Sequence, residues 1–133
     1  MRLMVLVCLC GLVSNLWAQE PEQAETVIRE QIQAFADGNA DTAYAIASEG
    51  IQQQFDTPDR FIDMVRSQYP ALYQPQFLTF SDPLVVSSER VHQELMVVDR
   101  SGRSWQAWYS LVSVDERWRI EGVFLRPAEQ QAI

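Results

Sequence analysis

The chain contains no lysine, one histidine (His92) and only two cysteines, Cys8 and Cys10. From residue 11 onward there is no thiol, which excludes disulfides, cysteine nucleophiles and thiolate-held zinc from that part of the chain. A lone histidine with no second ligand at suitable spacing gives no metal centre, and no cofactor is expected. Basic side chains number 10, all arginine, against 18 acids, for a formal charge of −8. A surface of that sign repels phosphate backbones and anionic lipid, so nucleic acid is not an expected partner. There is no internal repeat and no low-complexity linker, so no second domain is expected.

The one long apolar run lies at the start. Arg2 precedes the run Leu3 to Val13, and Leu16-Trp17-Ala18 places a small residue just before Gln19. That is the architecture of an export signal, too short to span a bilayer comfortably. An uncleaved anchor would need the run to continue through Ser14 and Asn15. A lipoprotein would need its cysteine after the run, whereas Cys8 and Cys10 lie within it. Residues 1–18 are read as a signal peptide cleaved after Ala18, 19–127 as one α+β domain and 128–133 as a frayed tail. The expected location is the periplasm or the outside of the cell, with no stable membrane anchor after processing. Removing 18 of 133 residues leaves 115, enough for one core, and losing Arg2 brings the formal charge to −9.

Between Pro21 and Asp37, Ala24, Val27, Ile28, Ile32 and Phe35 recur at three- and four-residue spacing, which predicts a helix stopped by Asp37-Gly38-Asn39. Asp41 is the expected cap of a second helix carrying Ala43, Tyr44, Ile46 and Ala47 to Ser48, with Gly50 near its end. Thr57-Pro58-Asp59 starts a third, with Phe61, Met64, Val65 and Gln68 on one face, and Tyr69-Pro70 ends it. A first strand, Gln76 to Val86, is interrupted by Ser81-Asp82-Pro83 and suits a sheet edge. Three further strands follow: Arg90 to Val98, Ser104 to Ser113 and Trp118 to Leu125. The predicted fold is α+β, about three N-terminal helices on a curved four-stranded antiparallel sheet.

The turns set which side chains face inward. A two-residue loop at Asp115-Glu116 pairs Val114 with Arg117, Leu111 with Ile120 and Tyr109 with Gly122, leaving room for the tyrosine ring. One face then carries Trp105, Ala107, Tyr109 and Leu111 beside Trp118, Ile120, Gly122 and Phe124. At the preceding turn, Gly102 suits a three-residue bulged loop that pairs Asp99 with Arg103 and Gln93 with Tyr109. Val91, Gln93, Leu95 and Val97 then point in, and His92 and Glu94 point out. A two-residue turn at Ser101-Gly102 would invert this and expose Leu95.

Several residues together resemble a known family. Ile28-Arg29, Gln31, Ala34-Phe35, Ala47-Ser48, Ile51, Phe55, Phe61, Met64-Val65-Arg66, Tyr69-Pro70, Tyr73 and Pro75 are followed by Gln93, Asp99, Gly102, Trp105, Ala107, Tyr109 and Trp118-Arg119-Ile120. This series is similar to DUF4864, a bacterial domain of unknown function. The resemblance implies the nuclear transport factor 2-like, cystatin-like cone fold and carries over no catalytic residue.

Gln93 and Tyr109 are polar groups on an otherwise apolar inner face. Either they satisfy each other or a buried water, or they are the convergent polar groups of a ligand pocket walled by Tyr44, Phe61, Tyr69, Tyr73 and Trp105. His92 reads as a surface histidine, and Asp59/Asp63 and Glu25/Arg29 as solvated helix pairs. Cone folds include isomerases and dehydratases that pair a carboxylate base with a tyrosine. Here that chemistry would need Glu94 in the inverted register, or Glu30 or Asp63 from a helix. Three functions stay open: binding of a small apolar or amphipathic molecule, an interaction module holding a protein partner on the outer sheet face around Trp108 and Val112, and an isomerase- or dehydratase-like enzyme.

Overall fold

The structure, a computed structural model, describes residues 20–128. The expected export signal and the tail beyond Ala128 lie outside the described residues. Helix α1, Gln23–Ala36, buries Ala24, Ile28, Ile32 and Phe35 along one stripe, as its periodicity predicts. It stops where Gly38 takes a left-handed φ of 67°, a conformation open to glycine without a Cβ clash.

The second expected helix is two. Helix α2, Ala40–Ile46, is capped by Asn39 rather than Asp41, the Asn39 side chain accepting from the Thr42 amide. The chain then extends at Ala47, and Ser48 caps α3, Glu49–Gln54. The break is a tertiary effect: the Ser48 amide donates to the Ile120 carbonyl at 2.8 Å, and Ala47 forms an isolated bridge with Ile120. Helix α4, Pro58–Gln68, starts as the sequence predicts, with Thr57 as cap and Pro58 in the first turn. The short α5, Pro70–Tyr73, follows directly.

Among the described residues the sheet has five strands rather than four: β1 Phe77–Phe80, β2 Leu84–Ser87, β3 Arg90–Val98, β4 Ser104–Val114 and β5 Arg117–Pro127. All pairings are antiparallel, in the order β1-β3-β4-β5, with β2 also on β3. The expected first strand is interrupted at Ser81-Asp82-Pro83, and its two pieces lie along the same edge of β3. Proline cannot donate to the ladder, which is why the interruption falls there.

Gly102 has φ 84°, and Asp115 and Glu116 have φ 50° and 63°, the conformations that these two hairpin turns require. Gln93 pairs with Tyr109 and Val97 with Trp105. Val91, Gln93, Leu95 and Val97 are buried, whereas His92 is exposed. On β5 the register holds to Leu111–Ile120 and then shifts: Ser110 faces Gly122 and Tyr109 faces Val123. A bulge at Glu121 supplies the extra residue and turns over the rest of the strand. Gly122 therefore does not make room for Tyr109, and a Cβ there would meet open space. Phe124, expected inside, is 63% exposed.

Two packed clusters fill the interior. The first joins α1 and α5 to the sheet through Ile28, Leu72, Leu95, Tyr109 and Leu111. The second joins α1, α2 and α4 through Phe35, Ala43, Phe61, Ile62 and Val65. Ile28 and Leu72 are essentially inaccessible, and truncating either to alanine is expected to cost about 2–5 kcal/mol.

Candidate functional site

A cleft of about 370 Å³ opens between the helical layer and the β4–β5 half of the sheet, within the size range of small-molecule sites, about 300–1,000 Å³. Ile51 and Phe55 come from α3 and the residue after it, and Phe61, Met64 and Val65 from α4. Leu72 comes from α5 and Tyr109 from β4. Ile120 and Val123 lie on either side of the Glu121 bulge. Three glutamines, Gln31, Gln54 and Gln68, add amide groups to this apolar wall. Phe55 stacks at an angle on Phe61, centroids 5.8 Å apart, and Phe35 and Tyr44 pack on the same ring.

Tyr109 is 2% exposed, and its hydroxyl has no hydrogen-bond partner among the described residues. Burial holds its pKa well above the ordinary tyrosine value, so the phenol stays protonated and is a donor. The expected partner, Gln93, is engaged elsewhere. Its amide nitrogen donates to the Ser81 carbonyl at 2.6 Å and to the Glu94 carbonyl at 2.9 Å. Gln93 thereby ties the β1–β2 interruption to β3, and it does not line the cleft.

Of the seven residues that the sequence nominates, the cleft brings together Phe61, Tyr69 and Tyr109. The other four lie elsewhere, Gln93 among them. The Tyr44 hydroxyl lies 2.8 Å from the Gln52 carbonyl and 2.6 Å from that of Phe55, so it holds α3 against α2. Tyr73 accepts from Arg66 at 3.2 Å, with the guanidinium also over its ring, which raises the arginine pKa. The Trp105 indole donates to Asp99 at 2.9 Å and clasps the β3–β4 turn. The sequence pattern does not nominate Ile51, Phe55 or the three glutamines as site residues. Met64, Val65 and Gln68 do carry a signal, as the inward face of the third helix.

Among the described residues, Glu121 is the charged residue in the cleft lining. Its carboxylate pairs with Arg90 and accepts from Ser110 at 3.1 Å on the outer sheet face. Glu30, Asp63 and Glu94, the carboxylates that an enolising enzyme would need, do not line the cleft. Among the described residues no three of His, Cys, Asp and Glu cluster to hold a metal.

The pattern of the domain of unknown function DUF4864 matches residues 18–133. The chain belongs to the DUF4864 family. Among curated proteins no relative matches. Two of the solved structures that share the fold of this DUF4864 protein illustrate the likeness. One is a nuclear transport factor 2-like protein of unknown function from Shewanella oneidensis MR-1. It is 12% identical with a TM-score of 0.56, and the match covers 78% of this chain and 96% of that one. The other, a candidate dehydratase of the same structural family from Streptomyces avermitilis, is 11% identical with a TM-score of 0.50. That match covers 82% of this chain and 97% of the other. At these identities the likeness concerns the fold, and the DUF4864 chain is a nuclear transport factor 2-like α+β cone.

Proposed function

We propose that this DUF4864 domain is exported and binds a small apolar or amphipathic molecule, without catalysis, in the cleft between α3–α4 and β4–β5. The observation that carries the reading is the buried hydroxyl of Tyr109, a residue of the cleft lining, which has no hydrogen-bond partner among the described residues. Buried polar groups in native proteins are as a rule hydrogen-bonded, and a ligand atom is a natural partner here. The test is mass spectrometry of small molecules carried through native purification from the cell envelope of the source. A stoichiometric apolar compound supports the reading. Protein that is free of ligand, and that binds none from an envelope lipid extract, contradicts it. Sequencing the N-terminus of the fractionated protein tests export, with Gln19 as the expected first residue.

A second reading has one observation in its favour. On the outer sheet face Trp108 and Phe124 pair with centroids 5.9 Å apart, Phe124 is largely exposed, and the Arg126 guanidinium lies 4.7 Å from the Trp108 ring centroid. Exposed aromatic pairs beside arginine are typical of protein-binding surfaces, so a secreted interaction module is the alternative. Loss of partner capture in Phe124→Asp, with the cleft intact, would favour it.

A further inference from the structure

Cleft binding leaves the chemical class of the ligand open, and the distribution of charge around the cleft narrows it. Among the described residues no arginine lines the cleft, and the chain has no lysine. A carboxylate or phosphate headgroup would therefore enter without a cation to meet it, in a protein of formal charge −8. Leaving an anion unpaired in a partly dry site is costly. A cationic headgroup has no better partner, because the Glu121 carboxylate is already occupied by Arg90 and Ser110 on the opposite sheet face. What the lining does offer is Tyr109, with its buried phenol donor, and the amides of Gln31, Gln54 and Gln68. Of these, the Gln31 amide nitrogen already donates to the Ala43 carbonyl at 3.1 Å.

We infer that the ligand is an uncharged amphiphile whose acceptor oxygen, a carbonyl, ester or ether, receives the hydrogen bond of Tyr109 while its hydrocarbon part lies against Phe55, Phe61 and Val123. This rests on the cleft-binding reading above and adds the charge state and the anchoring atom. The protonated phenol has a hydrogen to give, and a neutral acceptor takes it without the desolvation cost of an ion. No covalent step is involved.

The test uses the full mature protein and a series of equal chain length: a methyl ketone, the carboxylate, the primary ammonium and the hydrocarbon. Each competes with the fluorescent apolar probe N-phenyl-1-naphthylamine. The wild type should bind the ketone about three- to tenfold more tightly than the hydrocarbon, the size of one neutral hydrogen bond. It should bind the carboxylate and the ammonium more weakly than the ketone. Tyr109→Phe should bind ketone and hydrocarbon alike, and Met64→Trp, which fills the cleft from α4, should weaken every member of the series. Carboxylate or ammonium binding tighter than ketone overturns the inference, and so does a ketone preference that survives in Tyr109→Phe. In both cases cleft binding itself would stand. If neither probe nor series binds, or if Met64→Trp leaves all affinities unchanged, cleft binding falls too.

Discussion

Gln93 and Tyr109 face each other across β3 and β4, yet the glutamine amide donates to the Ser81 and Glu94 carbonyls and leaves the tyrosine hydroxyl without a partner among the described residues. Side chains opposite one another on one face share an environment but not necessarily a bond. The polar pair that the sequence suggests thus separates into a structural tie at Gln93 and a buried hydroxyl on Tyr109, a residue that lines the cleft.

The first prediction concerns that leftover hydroxyl. Tyr109→Phe removes a buried donor that has no partner among the described residues, so it should not destabilise the fold. A thermal or urea midpoint equal to or above that of the wild type is expected. A loss of more than about 1 kcal/mol would show that the hydroxyl bonds within the protein after all.

Gln93→Leu should behave differently, since it removes the tie to the interruption between β1 and β2. A cost of about 1 kcal/mol is expected. The more specific readout is amide hydrogen exchange: the Ser81 amide, which donates to the Glu94 carbonyl, should exchange faster while β4 amides do not. Uniform acceleration across the sheet would contradict a local role.

Asp99 gives a pH signature. Hydrogen bonds from the Ser101 hydroxyl and the Trp105 indole hold its carboxyl down at about 2, against an ordinary value of 3.8. A lowered folded-state value means that the contribution is complete above the ordinary value and is lost as pH falls through about 2. Carboxyl-detected NMR titration should show the depressed midpoint. Trp105→Phe, which removes one of the donors, should move the midpoint upward. An unmoved midpoint would remove the indole from the explanation.

Phe124→Ala distinguishes the two faces of β5. With its ring exposed and paired with Trp108, the change should cost about 0.5–1.5 kcal/mol, the worth of an aromatic pair. A core phenylalanine would cost about 3–5 kcal/mol. Urea unfolding decides between them, and the larger value would place Phe124 inside, as an uninterrupted β5 register implies.

The parts of the fold legible in the sequence are those fixed by local chemistry. Thr57-Pro58 starts α4, Tyr69-Pro70 ends it, and Gly102 and Asp115-Glu116 set the two hairpins, because caps, proline and positive φ act within a few residues. The misread parts depend on distant partners. Ala47-Ser48 leaves the helix to bond Ile120, and the bulge at Glu121 is marked locally by Gly122 alone, a glycine that reads equally well as space for a facing ring. The site follows the same division. Phe61 and Tyr109 were legible from facing and burial, whereas the polar tips of Tyr44, Tyr73 and Trp105 turn to the Gln52 and Phe55 carbonyls, Arg66 and Asp99. Periodicity gives the direction of a side chain but not the partner at its end.

The most direct test of cleft binding is methyl-detected NMR of the mature protein titrated with an uncharged ketone amphiphile. Signals of Ile51, Met64, Val65, Leu72 and Val123 should shift together and saturably, while Val85, Val86 and Val112, outside the cleft, stay in place. Shifts confined to Val85, Val86 and Val112, or no saturable shift at any methyl, would contradict it.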